Sequence, residues 1–357
     1  MAALRVGDLL RTARARGATD LHFGGADRPA IRVDGRLARL DATPLDEGSV
    51  RAFLASALGP DDVRLLDETG SVDGAARAGA ECAPYRIHAY RHAGGLRVAL
   101  RLLAAGVPSL EALALPTALA ALVQRPAGLL LVTGPTGSGK TTALAAVIDR
   151  INRTSERNVV TVEDPIEYVH APVRSLITQR EIGRDAADYA GALRAVLRAD
   201  PDVIVVGEMR ERATFAAALT AAETGHLVLA TLHTSDAAQT IDRVVDAFGP
   251  EAHAHVRAQL AAVLTAVVTL RLVPRRDGAG RRAAAEVLVA TDAVRALVRE
   301  GKTHQLRNAI VTGRAAGMQT LEASLSELVV RGEVALADAR AAAVRPEDVR
   351  ALERIGA

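Results

Sequence analysis

The stretch from Gly128 to Thr142, GLLLVTGPTGSGKTT, carries the strongest local signal in the chain. Its first half is an apolar run of the kind that forms a strand buried on both faces of a sheet. Residues 134–141 then match the pattern G-x-x-x-x-G-K-T, in which glycines let backbone N–H groups approach phosphate oxygens at the start of a helix. Strand, loop and helix in this order predict a nucleotide-binding P-loop.

The chemistry of such a loop assigns roles to its residues. Lys140, one of two lysines in the chain with Lys302, is expected to reach the β- and γ-phosphates. The Thr141 hydroxyl is expected to coordinate Mg²⁺, so the predicted ligands are ATP and Mg²⁺. The residues predicted to bind the nucleotide are Gly134, Pro135, Thr136, Gly137, Ser138, Gly139, Lys140, Thr141 and Thr142.

Strands and helices alternate on the carboxyl side of the loop. Further strands are predicted at 158–163, 202–206 and 226–231, with helices near 139–151, 186–198 and 210–224. This alternation predicts an α/β fold with a parallel sheet and right-handed crossovers.

Two glutamates end strands of this sheet. Glu163 closes the strand NVVTVE, and Glu208 follows the strand DVIVV after one glycine. Ligands of doubly wound sheets bind beyond the carboxyl ends of the strands, so both side chains are expected to face the nucleotide. Hydrolysis needs carboxylates that position water and metal. We therefore predict Glu163, Glu208 and Lys140 as catalytic residues and Glu208 as a second ligand of Mg²⁺.

Two histidines flank the fourth strand. His233 follows it at the same sheet edge and is predicted to sense the γ-phosphate. His226 precedes it, and its position alone predicts a polar contact between helix and strand.

The chain divides into four predicted regions. Residues 1–103 form an α+β domain, 104–116 a linker containing glycine and prolines, 117–290 the ATPase core, and 291–357 a helical region. In the first region, helices are expected at 4–16, 48–58 and 60–68, and strands at 20–23, 30–34, 36–40, 71–76, 84–90 and 97–103. The basic stretch 274–282 is predicted to be a hairpin tip or loop.

Composition narrows the class of protein. The 357 residues carry a formal net charge of +2 and only 2% aromatic residues, which disfavours direct nucleic-acid binding. One cysteine, Cys82, allows neither an intramolecular disulfide nor a thiolate-rich zinc module. The amino terminus is charged where a signal peptide needs an apolar core, and the uncharged run 258–270 is shorter than the roughly 20 residues of a membrane span. These features predict a cytoplasmic protein.

Three longer strings carry a family resemblance. Residues 161–170 (TVEDPIEYVH), 192–210 and 219–248 closely resemble the acidic box, Walker B segment and histidine box of secretion-type ATPases. The chain is most similar to the PilT family, the retraction (twitching-motility) ATPases of type IV pili. The similarity extends along nearly the whole chain, to ATDLHF near the amino terminus and GMQTLEASLSELV near the other end.

The resemblance implies a hexameric motor. It implies a PAS-like N-terminal domain, a RecA-like core with ATP bound between the two, and a helical C-terminal region. It further implies Mg²⁺-dependent hydrolysis coupled to domain motion, which powers pilus retraction. The implied partner is an inner-membrane pilus platform protein, with peripheral association at the inner face of the cytoplasmic membrane.

The resemblance also implies residue roles. Glu208 matches the Walker B glutamate, and Glu163 matches the acidic-box glutamate that prepares the attacking water. His226 and His233 match the histidine box and thereby gain a predicted role in γ-phosphate sensing. Arg86 and Arg101 match N-domain arginines that reach toward nucleotide.

Four positions depart from the family pattern. His88 stands where Asn is usual, Gly94 where Arg is expected, Leu270 where Gln is usual, and Ala296 replaces Asn in the C-terminal signature.

Four alternatives stay open. A pilus extension or type II secretion ATPase is disfavoured because one cysteine cannot form the zinc module that such motors commonly carry. An accessory retraction ATPase is a further interpretation. A nucleic-acid translocase is disfavoured by charge and composition. A non-catalytic nucleotide-gated scaffold is disfavoured by the intact Lys140, Thr141, Glu163 and Glu208.

Overall fold

The computed structural model describes residues 2–33, 35–76, 85–103, 106–278 and 280–350. The chain divides into two compact units, residues 1–106 with 165–169 and residues 107–164 with 170–357. Cys82, the turn residue Asp34 and the first residue of the predicted strand 84–90 lie outside the described residues, as do linker residues 104 and 105 and the last seven residues of the predicted helical region.

The first unit is an α+β module. Its elements are α1 (Ala2–Ala15), β1 (Asp20–Gly24), β2 (Ala30–Val33), β3 (Arg36–Arg39), α2 (Glu47–Ala57), α3 (Pro60–Thr69), β4 (Ser71–Ala76), β5 (Tyr85–His92) and β6 (Gly95–Leu102). The strands form one antiparallel sheet in the order β3-β2-β1-β6-β5-β4. These elements agree with the helices and strands predicted from the sequence.

The two faces of this sheet differ in chemistry because side chains alternate along each strand. Leu21, Leu100 and Ile87 are aligned across β1, β6 and β5, and all three are buried in the core of the unit. Arg101 of β6 pairs in register with Arg86 of β5, so both arginines lie on the opposite face. The sheet thus presents two of the predicted nucleotide contacts on one polar surface.

The second unit is built around a larger sheet. Its elements are α4 (Ala118–Leu122), β7 (Gly128–Thr133), α5 (Lys140–Thr154), β8 (Asn158–Glu163), β9 (Leu176–Glu181), α6 (Tyr189–Val196), β10 (Val203–Val206), α7 (Arg212–Glu223), β11 (Leu227–Leu232), α8 (Ala237–Asp246), α9 (His253–Val263), β12 (Leu264–Pro274), β13 (Arg281–Val289), α10 (Asp292–Arg299), α11 (Leu306–Thr312), α12 (Leu321–Val330) and α13 (Leu336–Ala342).

The sheet of the second unit has seven strands in the order β13-β12-β7-β11-β10-β8-β9. Neighbours pair in parallel except β12 with β13, which form an antiparallel hairpin. All six residues of β7 are buried, as its apolar run predicts for a central strand. The fold is therefore the predicted α/β class.

The wholly parallel sheet that the alternation predicts needs one correction. β13 runs against its neighbour β12 because the turn-rich segment between Pro274 and Arg281 closes a hairpin instead of a crossover. The predicted tip at 274–282 lies at this hairpin, apart from Ala279, which is outside the described residues. Two further strands, β9 and β12, join the sheet in parallel and were not among those predicted.

Because these strands are parallel, their carboxyl ends lie at the same edge of the sheet. Thr133 at the end of β7 pairs with Leu232 at the end of β11, and Val206 of β10 pairs with Val162 of β8. The segments that follow these four strands leave the sheet at one edge. The P-loop, Glu163, Glu208 and His233 all belong to those ends or segments.

The region after β13 is helical, as predicted. Its later helices enclose a small apolar cluster that includes Leu321 and Leu325 and packs against Val273 of β12. Among the residues that the structure describes, we find no helix whose length and hydropathy would suit a membrane span.

Candidate nucleotide site

The tight turns of the P-loop are made at three glycines with positive φ. Gly134, Gly137 and Gly139 have φ values of 142°, 77° and 90°, a region that side chains with a Cβ rarely adopt. Gly139 precedes the first residue of α5 and has no side chain with which to cap the helix. No side chain at Gly139 therefore competes with an anion for the first turn of α5, and the helix dipole also favours an anion there.

Gly134 is also required by close packing. A Cβ built on it would lie 2.5 Å from both the Leu270 carbonyl oxygen and Ser138 Oγ. The loop thus rests directly on the backbone of β12. Leu270, one of the departures from the family pattern, supports the loop through its main chain while its side chain is buried in the core.

The Lys140 ammonium is held inside the loop. Its Nζ donates to the carbonyl oxygens of Gly134 and Pro135, at 2.8 and 3.0 Å, and lies 3.2 Å from His233 Nδ1. Burial lowers the pKa of Lys140 below its ordinary value, while the negative charge of Glu208 acts in the opposite direction. Both partners in the loop are neutral, so a bound phosphate would supply the anion that a buried ammonium needs.

Glu208 is held from two sides. Arg210 forms a bidentate ion pair with Glu208, in which Nε lies 2.6 Å from Oε1 and Nη2 lies 2.8 Å from Oε2. His233 Nε2 lies 3.0 Å from the same Oε1. Burial alone would raise the pKa of Glu208, but the hydrogen bonds and charges of Arg210 and His233 outweigh it, and the pKa lies below its ordinary value. Glu208 is therefore an ionised carboxylate at neutral pH.

Glu163 is positioned by neighbours on β8 and β9. Its Oε1 accepts hydrogen bonds from Thr161 Oγ1 at 2.7 Å and Gln179 Nε2 at 3.0 Å. Gly207 adjoins it, since a Cβ at that position would lie 3.2 Å from Glu163 Cα. The two predicted catalytic glutamates thus lie at the ends of adjacent strands.

The comparisons with known proteins agree with this geometry. Residues 84–351 match the family model of type II/IV secretion system proteins. The chain is 42% identical to the type IV pilus retraction ATPase PilT of Pseudomonas aeruginosa over 347 residues, which cover 96% of this chain and 98% of that protein. It is 36% identical to the type IV pilus ATPase PilU of the same organism over 348 residues, 98% of this chain and 91% of the relative.

A solved structure of the pilus retraction motor PilT with bound ADP is also similar. It aligns with a TM-score of 0.88 at 39% sequence identity and covers 98% of each chain. The chain belongs to the PilT family of secretion ATPases. It is accordingly a P-loop ATPase, with a RecA-like core and the N-terminal and C-terminal regions typical of PilT.

The PilT-type site gathers most of its predicted residues at one sheet edge. The contacts above link the P-loop, through Lys140, to His233 and Glu208. Glu163 ends β8, which is the neighbour of β10 in the sheet. Thr141 and Thr142 lie in the first turn of α5, directly after Lys140.

His226 does not join this group within the subunit. It precedes β11 at the end opposite His233, where its main-chain carbonyl accepts a hydrogen bond from the N–H of Gly128. Its Nδ1 lies 2.9 Å from the carbonyl oxygen of Ala221 at the end of α7. The predicted contact between helix and strand is observed, and the γ-phosphate contact implied by the resemblance stays a prediction.

Arg86 and Arg101 belong to the first unit. Arg86 forms an ion pair with Glu167, and Arg101 Nε lies 3.3 Å from Asp20 Oδ1. Both partners are themselves part of the first unit. Nucleotide contact by the two arginines stays a prediction.

Three side chains at the site were not predicted from the sequence. Arg210 stands two residues after Glu208 in the string GEMR, a spacing that offered a signal. Gln179 was missed because β9 was not predicted. Tyr189, whose hydroxyl would lie 3.1 Å from a Cβ on Gly207, was missed because this contact depends on how α6 packs on the sheet.

The residues present fit ATP and Mg²⁺. The Ser138 hydroxyl is buried in the P-loop and has no hydrogen-bond partner among the described residues, as expected of a group that awaits a phosphate oxygen. Within those residues, no cluster of three or more His, Cys, Asp or Glu side chains is arranged to hold a metal. Magnesium ions at such sites are commonly held by phosphates and one or two protein oxygens, which is what Thr141 and Glu208 would supply.

One departure from the PilT pattern has a structural partner. His88, which replaces the usual Asn, has Nδ1 2.8 Å from Asp73 Oδ1 across the β4–β5 pair. The structure gives no reason for Gly94 or Ala296.

Proposed function

We propose that this ATPase is a Mg²⁺-dependent homohexameric motor that powers type IV pilus retraction through hydrolysis coupled to domain motion. The observation that carries the proposal is that His233 links Lys140 of the P-loop to Glu208. Support also comes from similarity to PilT over nearly the full length of both chains.

The proposed chemistry assigns one task to each group. Loop N–H groups and Lys140 bind the β- and γ-phosphates, and His233, which contacts Lys140, senses whether the γ-phosphate is present. Glu163 accepts a proton from the attacking water, because it is a carboxylate held in place by Thr161 and Gln179. Mg²⁺, when bound by Thr141 and Glu208, would neutralise phosphate charge.

Partners follow from this role. We propose an inner-membrane pilus platform protein as the partner and peripheral association with the inner face of the cytoplasmic membrane, with no direct contact to nucleic acid. In a ring, subunits face one another head to tail, so a neighbour can complete the site. Arg86 and Arg101 are candidates for that completion, since arginines stabilise charge on a transferring phosphoryl group.

The deciding experiment deletes the gene in its host and counts surface pili by microscopy. More pili together with lost surface motility is the expected result. Bare cells would make the chain an extension or assembly ATPase. Unchanged piliation that changes only when a second retraction ATPase is also deleted would make it an accessory motor, a role open to it because PilU is also similar.

A further inference from the structure

Tyr189 lies at the hydrolytic edge but has no role in the chemistry described above. It is the first residue of α6, and Asp188 fixes that start by accepting a hydrogen bond from the Gly191 N–H at 2.7 Å. The half-buried ring packs against the core of the second unit.

The hydroxyl points to the place where β8 and β10 end. A Cβ built on Gly207 would lie 3.1 Å from Tyr189 Oη, 3.2 Å from Glu163 Cα and 3.2 Å from the Val162 carbonyl oxygen. A Cβ at position 207 would crowd the phenol, and glycine leaves this space open. The hydroxyl thus lies next to the residue that separates the strand ends carrying Glu163 and Glu208.

The surroundings of the hydroxyl are acidic. Burial raises the pKa of Tyr189, and the carboxylates of Asp164, Glu208 and Glu163 raise it further, against a smaller opposite effect of Arg210. The phenol is therefore neutral at neutral pH. Ionised carboxylates only accept hydrogen bonds, whereas a neutral phenol donates one and accepts others.

Within the described ranges, the hydroxyl has no hydrogen-bond partner in the protein. A partly buried hydroxyl between acceptors is a natural place for an ordered water. A water there would lie beside the ends of β8 and β10, where the proposed base Glu163 stands.

We propose that Tyr189 positions the hydrolytic water by accepting a hydrogen bond from it. The inference rests on the proposed role of Glu163 as the base. In the step, the water oxygen forms a bond to the γ-phosphorus and the bond from that phosphorus to the β–γ bridging oxygen breaks. The electron pair leaves with ADP. One water proton passes to Glu163, and Tyr189 keeps its own proton.

The test replaces Tyr189 with Phe, which removes the hydroxyl and keeps the packed ring. Single-turnover ATP hydrolysis and steady-state kcat are expected to fall about tenfold, the scale of one lost hydrogen bond in the transition state. KM for ATP, ADP affinity and Tm should change little, because neither the P-loop nor the ring packing is altered. Tyr90→Phe, which removes a hydroxyl from β5 of the first unit, is the matched control and should keep its rate.

Two results would overturn the inference. One is an unchanged single-turnover rate in Tyr189→Phe. The other is a loss of rate that comes with an equal loss of nucleotide affinity or a fall in Tm, since the residue would then be structural. Glu163→Gln, measured in parallel, separates this failure from that of the proposed function, because an active Glu163→Gln enzyme would refute the base itself.

Discussion

His233 Nε2 lies 3.0 Å from Glu208 Oε1. The other ring nitrogen lies 3.2 Å from Lys140 Nζ, so one imidazole bridges the Walker B carboxylate and the P-loop ammonium. A γ-phosphate bound by Lys140 would change the partner on one side of this ring. We propose that His233 thereby couples the presence of the phosphate to Glu208.

His233→Ala should lower kcat about tenfold to a hundredfold, the scale of a lost hydrogen bond to charged groups. ATP affinity should fall less, because the loop and Lys140 remain. Steady-state hydrolysis with a parallel binding titration separates the two effects. His255→Ala changes an exposed histidine of α9 and serves as the control. Equal activity of both variants would remove His233 from the mechanism.

Glu208→Gln should bind ATP and fail to turn it over. The amide keeps the size of the side chain but loses the negative charge that Arg210 and His233 hold in place, and we expect kcat to fall at least about a hundredfold. Product release assays report the turnover and nucleotide titration the binding. Glu211→Gln, three residues along at the exposed start of α7, should stay active. Parental turnover in Glu208→Gln would remove Glu208 from the catalytic mechanism.

Lys140→Ala should weaken ATP binding about tenfold to a hundredfold, because the phosphates lose a charged donor. The loop itself should persist, since its turn depends on the glycines and on the packing of Gly134 against β12. The matched control is Lys302→Ala, the other lysine, which is exposed and pairs with Glu300. Calorimetric titration with a non-hydrolysable ATP analogue gives both affinities, and equal values would contradict the assigned role.

The sequence predicts the part of the site that depends on local pattern. The P-loop follows from a contiguous motif, and the approach of Glu208 and His233 follows from the rule that parallel strands end at one edge. The elements of the first unit were also predictable from local signals, because glycines stand where elements end. Gly24 ends β1 and Gly70 follows α3, and both have positive φ.

The missed elements lack such local signals. No Gly or Pro separates α9, which ends at Val263, from β12, which begins at Leu264, and the apolar run 258–270 continues across the boundary. β9 is an edge strand of half-exposed residues without a buried run. Tyr189 reaches Gly207 only through the tertiary packing of α6 on the sheet, so no spacing in the sequence predicts the contact.

Glu286 links pH to stability. It is 6% exposed on β13, and its Oε1 accepts a hydrogen bond from the Ala237 N–H at the start of α8 at 2.8 Å. Burial, with smaller contributions from Asp236 and Glu322, raises the pKa of Glu286 to about 7, while the Ala237 hydrogen bond and Arg307 oppose the shift.

The sign of the effect follows from the raised pKa. Below the ordinary carboxyl pKa, Glu286 is protonated in both the folded and the unfolded chain and makes no difference to stability. As pH rises toward 7, the unfolded chain releases this proton while the folded chain keeps it, so the free energy of unfolding falls. Above that range the folded state carries the full cost of a buried charge.

Glu286→Gln removes this dependence, because the neutral amide oxygen can still accept from Ala237. We expect the variant to be more stable than the parent by about 2 to 3 kcal/mol at pH 8, with the difference shrinking toward zero near pH 4.5. Urea unfolding at steps between pH 4.5 and 8 measures it, with exposed Glu347→Gln as the control. A difference that stays constant with pH would show that the carboxyl of Glu286 does not change its protonation on unfolding. A variant less stable at pH 8 than at pH 5 relative to the parent would show that the charge itself supports the start of α8.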